Sequence, residues 1–429
     1  MRDEDDDEGG VASNHTLKLS PITVTIQSEI FCLAFSADGR FLLACCGDGI
    51  VRVINPHTGV VISVLVSKRE RTRKTYGKVE GGSSGALGLE PKKRSSSILD
   101  SVNLPCTCAT FRPYHKGEKT NGVALIGYSH GEIQLWHVPS AKVLHKQAVP
   151  PEDASSRSGA GDGDEAEEKG GASKRDEDIE IPIGVEVLCC AFSGDGEYFA
   201  VGASDGVVRV YSDTTRELLV ELKPGMARGS GHSSRVFSVK FHPDDSNILV
   251  SGGWDNCVHV WDVEKATTVT TVFGPHICGD AVGVFGRTIL TGSWRDESQL
   301  EAWDMDSGKA SGPSFWSGSG KGALLQQALG RRCRLYAAAF GGPENARGKF
   351  VAAGGGEGAN EVFDFLDNRR LIGSLLGLSA GAISLAFEPQ GAAAGRGTSK
   401  RTGRAFLIYI ETTAEVPQES SGGKTIMVF

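Results

Sequence analysis

Six times along the chain a short apolar run closes on phenylalanine: IFCLAF (30–35), CTCATF (106–111), VLCCAF (187–192), VFSVKF (236–241), LYAAAF (335–340) and AISLAF (382–387). A polar turn, a second apolar run, a tight turn and a third run follow each of them. The second and third runs read FLLACCGDGIVRVI (41–54), VALIGYSHGEIQLW (123–136), YFAVGASDGVVRVY (198–211) and ILVSGGWDNCVHVW (248–261). Two further copies are TILTGSWRDESQLEAW (288–303) and FVAAGGGEGANEVF (350–363). Runs this short, closely punctuated and without a helical period, predict β-strands throughout. A fourth apolar stretch follows most copies, as in VVISVLV (60–66) and ELLVELK (217–223). The segment GVFGRTIL (283–290) supplies a weakened start for one copy and brings the count to seven.

Composition agrees with that reading. The 57 glycines against 16 prolines suit a chain of tight turns, and 39% apolar residues over 429 positions can bury a substantial core. The formal charge of −8 disfavours a general nucleic-acid or anionic-membrane binder. No run of about 18 apolar residues exists, which excludes a membrane-spanning helix. The start, MRDEDDDEGG, is the opposite of a secretory signal, so the cytoplasm is the expected compartment, with the nucleus second. Cys32, Cys45, Cys106, Cys108, Cys189 and Cys190 lie in the apolar runs and read as reduced core residues. No cysteine or histidine pair has zinc-site spacing, and no metal or cofactor is expected.

One copy carries a family likeness. Gly231-His232, Ser251, Asp255 and Trp261-Asp262 resemble the WD40 repeat in residue type and spacing, and GGWDNCVHVWD (252–262) is close to its consensus. The other copies are degenerate. Asp48 and Asp205 keep the turn aspartate, but Ile54 and Tyr211 replace the tryptophan. Trp136 is kept while His130 takes the aspartate position; Trp303-Asp304 is kept, with Asp296 standing for the turn aspartate after two extra residues. The likeness covers residues 14–429 outside the insertions and implies an all-β chain: a single seven-bladed WD40 β-propeller. The stretch GPHICGD…ILTGSW (274–294) is similar to repeats grouped with the WD40 domain of anaphase-promoting complex subunit 4.

Four segments stand outside the repeats: an acidic tail (1–13), a basic low-complexity insertion (67–104), an acidic one (149–183) and a Gly/Ala/basic loop (390–404). Segment 67–104 holds nine Lys/Arg against four Asp/Glu, and 149–183 holds eleven Asp/Glu against four Lys/Arg. Both lack the apolar content to fold alone. PKKR followed by Ser95, Ser96 and Ser97 has the form of an import or phosphorylation signal. TIMVF (425–429) aligns as the third strand of the last copy, whose outer strand is then missing. The unassigned segment HTLKLSPITVTI (15–26) is expected to supply it and close the ring.

His232, Ser251 and Asp255 are the residue types of a hydrolase triad, yet Ser251 sits within a strand and lacks a nucleophile elbow. The resemblance instead implies a structural hydrogen-bonded tetrad with Trp261. Gly423-Lys424-Thr425 and Ser317–Gly322 imitate phosphate loops; Gln418 and Gly322 stand where a glycine and a Ser/Thr are needed. No catalytic residue is expected.

The resemblance directs attention to one rim of the propeller. Family positions just after the start of each first strand fall on Phe31, Thr107, Leu188, Phe237, Tyr336 and Ile383. Those before the turn aspartate fall on Gly47, Ser129, Ser204 and Trp254, with Arg295 in the extended turn. Glu29, Glu186, Arg235 and Arg334 precede the first set by two residues. Phe31, Leu188, Arg235, Phe237, Trp254, Arg334 and Tyr336 therefore form the expected partner-binding set, since aromatics and arginine dominate binding hot spots. The implied function is a non-enzymatic scaffold: a monomeric propeller binding proteins or peptides inside a larger assembly. A substrate-recruiting subunit of a ubiquitin ligase is the alternative within that class, and a hydrolase or nucleotide-using enzyme the alternative outside it.

Overall fold

The structure is a computed structural model. It describes residues 22–67, 104–113, 121–150, 185–225, 231–311, 334–341, 350–355, 360–364, 370–375, 384–387, 408–412 and 424–428. The acidic tail, almost all of the three expected insertions, Ile383 and Phe429 lie outside these residues.

The described chain is all β apart from one short 3-10 turn, and it forms seven antiparallel sheets in sequence order. Strand β1 (Ile22–Ile26) comes first. Sheet one is β2 (Ile30–Phe35), β3 (Leu42–Cys46), β4 (Ile50–Ile54) and β5 (Val61–Val66). Sheet two is β6 (Cys106–Phe111), β7 (Val123–Tyr128), β8 (Glu132–His137) and β9 (Lys142–Ala148). Sheet three is β10 (Val187–Phe192), β11 (Tyr198–Ala203), β12 (Val208–Ser212) and β13 (Leu218–Leu222). Sheet four is β14 (Val236–His242), β15 (Asp245–Gly253), β16 (Cys257–Asp262) and β17 (Thr267–Phe273). Sheet five has three strands, β18 (Val282–Phe285), β19 (Thr288–Gly292) and β20 (Leu300–Asp304), with a single bridge from Trp303 to Ala310 beyond them. Sheet six is β21 (Leu335–Gly341), β22 (Phe350–Gly355), β23 (Asn360–Asp364) and β24 (Arg370–Leu375). In the last sheet β26 (Lys424–Val428) lies between β25 (Ile408–Thr412) and β1.

Two sequence expectations need correcting. AISLAF was expected as a first strand, but its described part, 384–387, forms none. The chain also stays in the fold past two expected insertion boundaries. The Ser67 hydroxyl accepts a hydrogen bond from Gln134 Nε2 at 2.6 Å, and Val149 is buried with its N–H on the Gly131 carbonyl. Lys424 and Thr425, from one phosphate-loop imitation, lie in β26.

Glycine and asparagine shape the turn between the second and third strands. Gly49, Gly131, Gly206 and Asn256 occupy the same place in sheets one to four, all at positive φ, where a β-branched residue would be strained. A second set of glycines sets the spacing between sheets. A Cβ on Gly127, Gly202, Gly252 or Gly292 would come within 3 Å of an apolar side chain at the start of the following repeat: Val187, Val236, Ile277 or Ala338. The core therefore lies between sheets. Val250 and Val260 of sheet four share one buried cluster with Val282 and Leu290 of sheet five and Leu335 of sheet six. At the chain's start, Val24 and Ile26 of β1 pack with Ile30, Leu33 and Leu42 of sheet one while β1 pairs with β26.

One irregularity repeats. In sheets one, two, three, four and six the first pair of strands skips a residue: Phe31, Thr107, Leu188, Phe237 and Tyr336. A bulge takes its extra residue out of the ladder and re-aims its side chain. These five are exposed or half-buried, each directly after a buried residue, and the sequence places them all at the same end of their strands.

Candidate functional site: a sealed tetrad and an aromatic rim

The tetrad residues meet as the resemblance implies. His232 Nδ1 lies 3.0 Å from both Asp255 carboxylate oxygens, and His232 Nε2 lies 2.8 Å from Ser251 Oγ. Trp261 Nε1 donates to the same Oγ at 2.7 Å, and Asp255 also accepts the Ser233 and Cys257 N–H groups. With His232 donating from Nδ1, Ser251 donates to Nε2, which is the proton order of a hydrolase triad. Ser251 and His232 are buried, and Trp261 occupies the remaining side of the hydroxyl. The cluster binds the loop before β14 to β15 and β16 and offers no path for a substrate.

The other sheets fill the same place differently. Four residues after each turn aspartate, Arg52 and Arg209 stand where sheet four has His259. Arg52 grips Asp48 (2.6 and 3.1 Å), and Arg209 grips Asp205 (2.7 and 3.3 Å) and reaches Glu221 (3.4 Å). In sheet two Gln134 accepts from Trp136 Nε1 at 2.8 Å, and in sheet five Glu301 takes Arg295 at 2.6 Å. Sequence reasoning missed these substitutes. The signal was an arginine placed inward within an apolar strand.

His232, Asp255 and His259 form the one group among the described residues with three potential metal-ligating side chains close together. Both His232 nitrogens are already hydrogen-bonded, and His259 Nδ1 lies 3.0 Å from Thr271 Oγ1. Burial would raise the Asp255 carboxyl pKa, but the hydrogen bonds from His232 and the Ser233 N–H outweigh it and hold it low. Burial, reinforced by His232, drives the His259 pKa down to about 3. A histidine that titrates near ~6.5 when unfolded then takes up its proton only on unfolding. Its contribution to stability is complete above that pH and is lost as pH falls from there towards 3. Unfolding free energies from urea titrations between about pH 6 and 4 should therefore fall more steeply for the wild type than for His259→Gln, by up to ~1.4 kcal/mol per pH unit. Equal slopes would contradict this.

The rim is built by the bulges. The residue after the second strand donates its N–H to the carbonyl preceding the first strand: Gly47 to Glu29, Ser129 to Pro105, Ser204 to Glu186 and Trp254 to Arg235. In sheet five Trp294 donates to His276 at 2.9 Å, so Trp294, rather than Arg295, stands level with Trp254. The extended turn after it had displaced the alignment. The structure brings Arg235, Phe237 and Trp254 together: the Phe237 and Trp254 ring centroids are 5.1 Å apart, and the Arg235 guanidinium lies 5.6 Å from the indole. It brings Tyr336 and Arg334 onto Trp294, at 4.2 and 5.7 Å. Phe31, 39% exposed, sits against Gly47, and Leu188 is half-buried; neither makes a ring contact with the first two groups. Other exposed large apolar residues, including Ile62, Leu144, Leu219 and Phe273, lie on or beside the fourth strands.

The family model described as WD domain, G-beta repeat, matches residues 20–55, 184–212 and 226–262, which fall on sheets one, three and four. An 85-residue stretch, 20% of this chain and 13% of the relative, is 33% identical to WD repeat-containing protein 1 of Gallus gallus. The counterpart in Mus musculus is 31% identical over a stretch of the same length. A 90-residue stretch, 21% of this chain and 10% of the relative, is 34% identical to Cell division control protein 4 of Saccharomyces cerevisiae. The matched stretches thus cover 13% or less of these relatives' own length. Three repeat matches and the WD-repeat relatives support the WD40 family, and the four-stranded antiparallel sheets are consistent with its propeller. Repeats of this family generally mediate protein–protein interactions without catalysis.

Proposed function

We propose that the chain is one seven-bladed propeller serving as a non-enzymatic scaffold, monomeric within a hetero-complex, that holds protein or peptide partners on the bulged rim. The contacts belong to Phe31, Leu188, Arg235, Phe237, Trp254, Arg334 and Tyr336, joined by Trp294. The observation that carries this reading is the recurrence of the bulge, which lifts one side chain per sheet out of pairing at the same end of five sheets. Trp254, 43% exposed, leaves a large indole face available to a partner. Ring closure by β1 is supported by its double attachment, to β26 by backbone and to sheet one by side chains. Buried free thiols such as Cys45, Cys106 and Cys190 suit a reducing compartment, cytoplasm or nucleus.

The test begins from partners recovered with the intact chain. Phe237→Ala and Trp254→Ala should each weaken binding of a rim partner more than about tenfold, the effect of losing a hot-spot side chain. Melting temperatures should remain close to the wild type. Unchanged binding in both variants would move the interface elsewhere.

A further inference from the structure

The rim is uneven in a way that selects a ligand. Before the turn, the first three sheets carry Gly47, Ser129 and Ser204, and the next two carry Trp254 and Trp294. Phe237 meets Trp254, Trp254 lies nearly parallel to the His276 ring at 6.3 Å, and the His276 carbonyl accepts from Trp294, whose ring meets Tyr336. The result is one aromatic arc across sheets four to six. An arginine lies on each indole, with 45% of each arginine side chain exposed. Each also touches a carboxylate: Arg235 reaches Glu186 at 3.4 Å, and Arg334 Nε donates to Asp296 at 2.9 Å.

We propose that this arc takes an extended acidic peptide, an apolar residue seated on Trp254 and carboxylates meeting Arg235 and Arg334; the proposal rests on the rim reading above. Three features support the choice of charge. Both guanidiniums already occupy the cation–π positions over the indoles, so a basic ligand must evict them to gain the ring faces. An acidic ligand leaves both guanidiniums on their rings, because its carboxylates displace only Glu186 and Asp296. Those two side chains are 41% and 50% exposed, and exposed pairs of this kind are held weakly, so the exchange costs little. The indoles also hold each guanidinium plane in place, ready for a paired contact with a carboxylate.

The test presents a library of random peptides of about twelve residues to the intact chain. Selected sequences should place Asp or Glu on both sides of an aromatic or aliphatic residue. Synthetic copies, measured by fluorescence anisotropy, should lose about tenfold or more in affinity for the Arg235→Gln/Arg334→Gln variant, the order expected when charged hydrogen bonds are removed. The Arg235→Glu/Arg334→Glu variant, with its fold checked by melting, should select Lys- and Arg-containing peptides instead. Basic or neutral winners on the wild type, acidic winners indifferent to the arginine variants, or no winners would each overturn the proposal. Winners of the wrong charge that still fail on Trp254→Ala would leave the rim reading in place. Winners that bind Trp254→Ala as tightly as the wild type would remove that reading too.

Discussion

Deleting residues 14–27 should abolish soluble, cooperatively folding protein, while deleting 1–12 should leave the melting transition unchanged. The longer deletion removes β1 entirely. Val24 and Ile26 are buried against Ile30, Leu33 and Leu42, and losing two such side chains costs about 4 kcal/mol at the usual values for full burial. The backbone loss adds to this. Ile22 to Ile26 pair residue by residue with Val428 to Lys424, so the deletion turns β26 from an inner strand into an open edge. An uncovered edge invites pairing with other chains. A cost of that size is a large part of the ~5–15 kcal/mol by which domains are stable. Thermal melting and size-exclusion chromatography of the two truncations decide the matter. Matching behaviour would show that β1 does not close the array.

Arg209→Met should destabilise the protein by about 3–5 kcal/mol, the usual penalty for removing one partner of a buried ion pair. The arginine side chain is fully buried, and Asp205 and Glu221 beside it are 17% and 10% exposed. Methionine fills the space of the stem, strands Asp205 without its cation and leaves Glu221 with only the more exposed Lys223. Adding Asp205→Asn should recover part of the loss, because it removes one stranded charge. Sheet one provides the internal comparison. Arg52 and Asp48 make the same pair at 18% and 33% exposure, where water screens the stranded charge, so Arg52→Met should cost less. Urea midpoints for the three variants test the ordering. Equal small effects at both arginines would mean that these pairs do not replace the histidine tetrad.

Much of this architecture can be read from the chain because each repeat announces itself locally. The apolar runs ending in Phe35, Phe111 and Phe192, followed by Asp-Gly or His-Gly turns, give strand, turn and order together. The tetrad was legible because sheet four keeps every member. The bulges were not, since Phe31 and Phe237 differ from their neighbours only in pairing, which no local residue signal records. Family position pointed to them; the skipped residue explains why they project. Trp294 was passed over because the longer turn of sheet five shifted the count by one. Anchoring on the hydrogen bond from Trp303 Nε1 to Thr291, the partner of that from Trp261 to Ser251, puts the count right. Sheet five has no bulge in its first strand pair and carries Cys278 rather than a ring after Ile277; Tyr336 of the next sheet covers Trp294 instead. The seventh first strand failed for another reason: AISLAF has the composition of a strand, but its described residues have no ladder partner.

Whether partners dock on the bulged rim is the central question, and hydrogen–deuterium exchange of the intact chain with and without a captured partner reads it directly. Protection is expected in segments 234–238, 253–256, 276–279 and 334–337, which carry Arg235, Phe237, Trp254, His276, Arg334 and Tyr336. Exchange along the outer strands β5, β9, β13 and β17 should be unchanged. Protection confined to those outer strands, where Ile62, Leu144, Leu219 and Phe273 are exposed, would contradict docking on the rim.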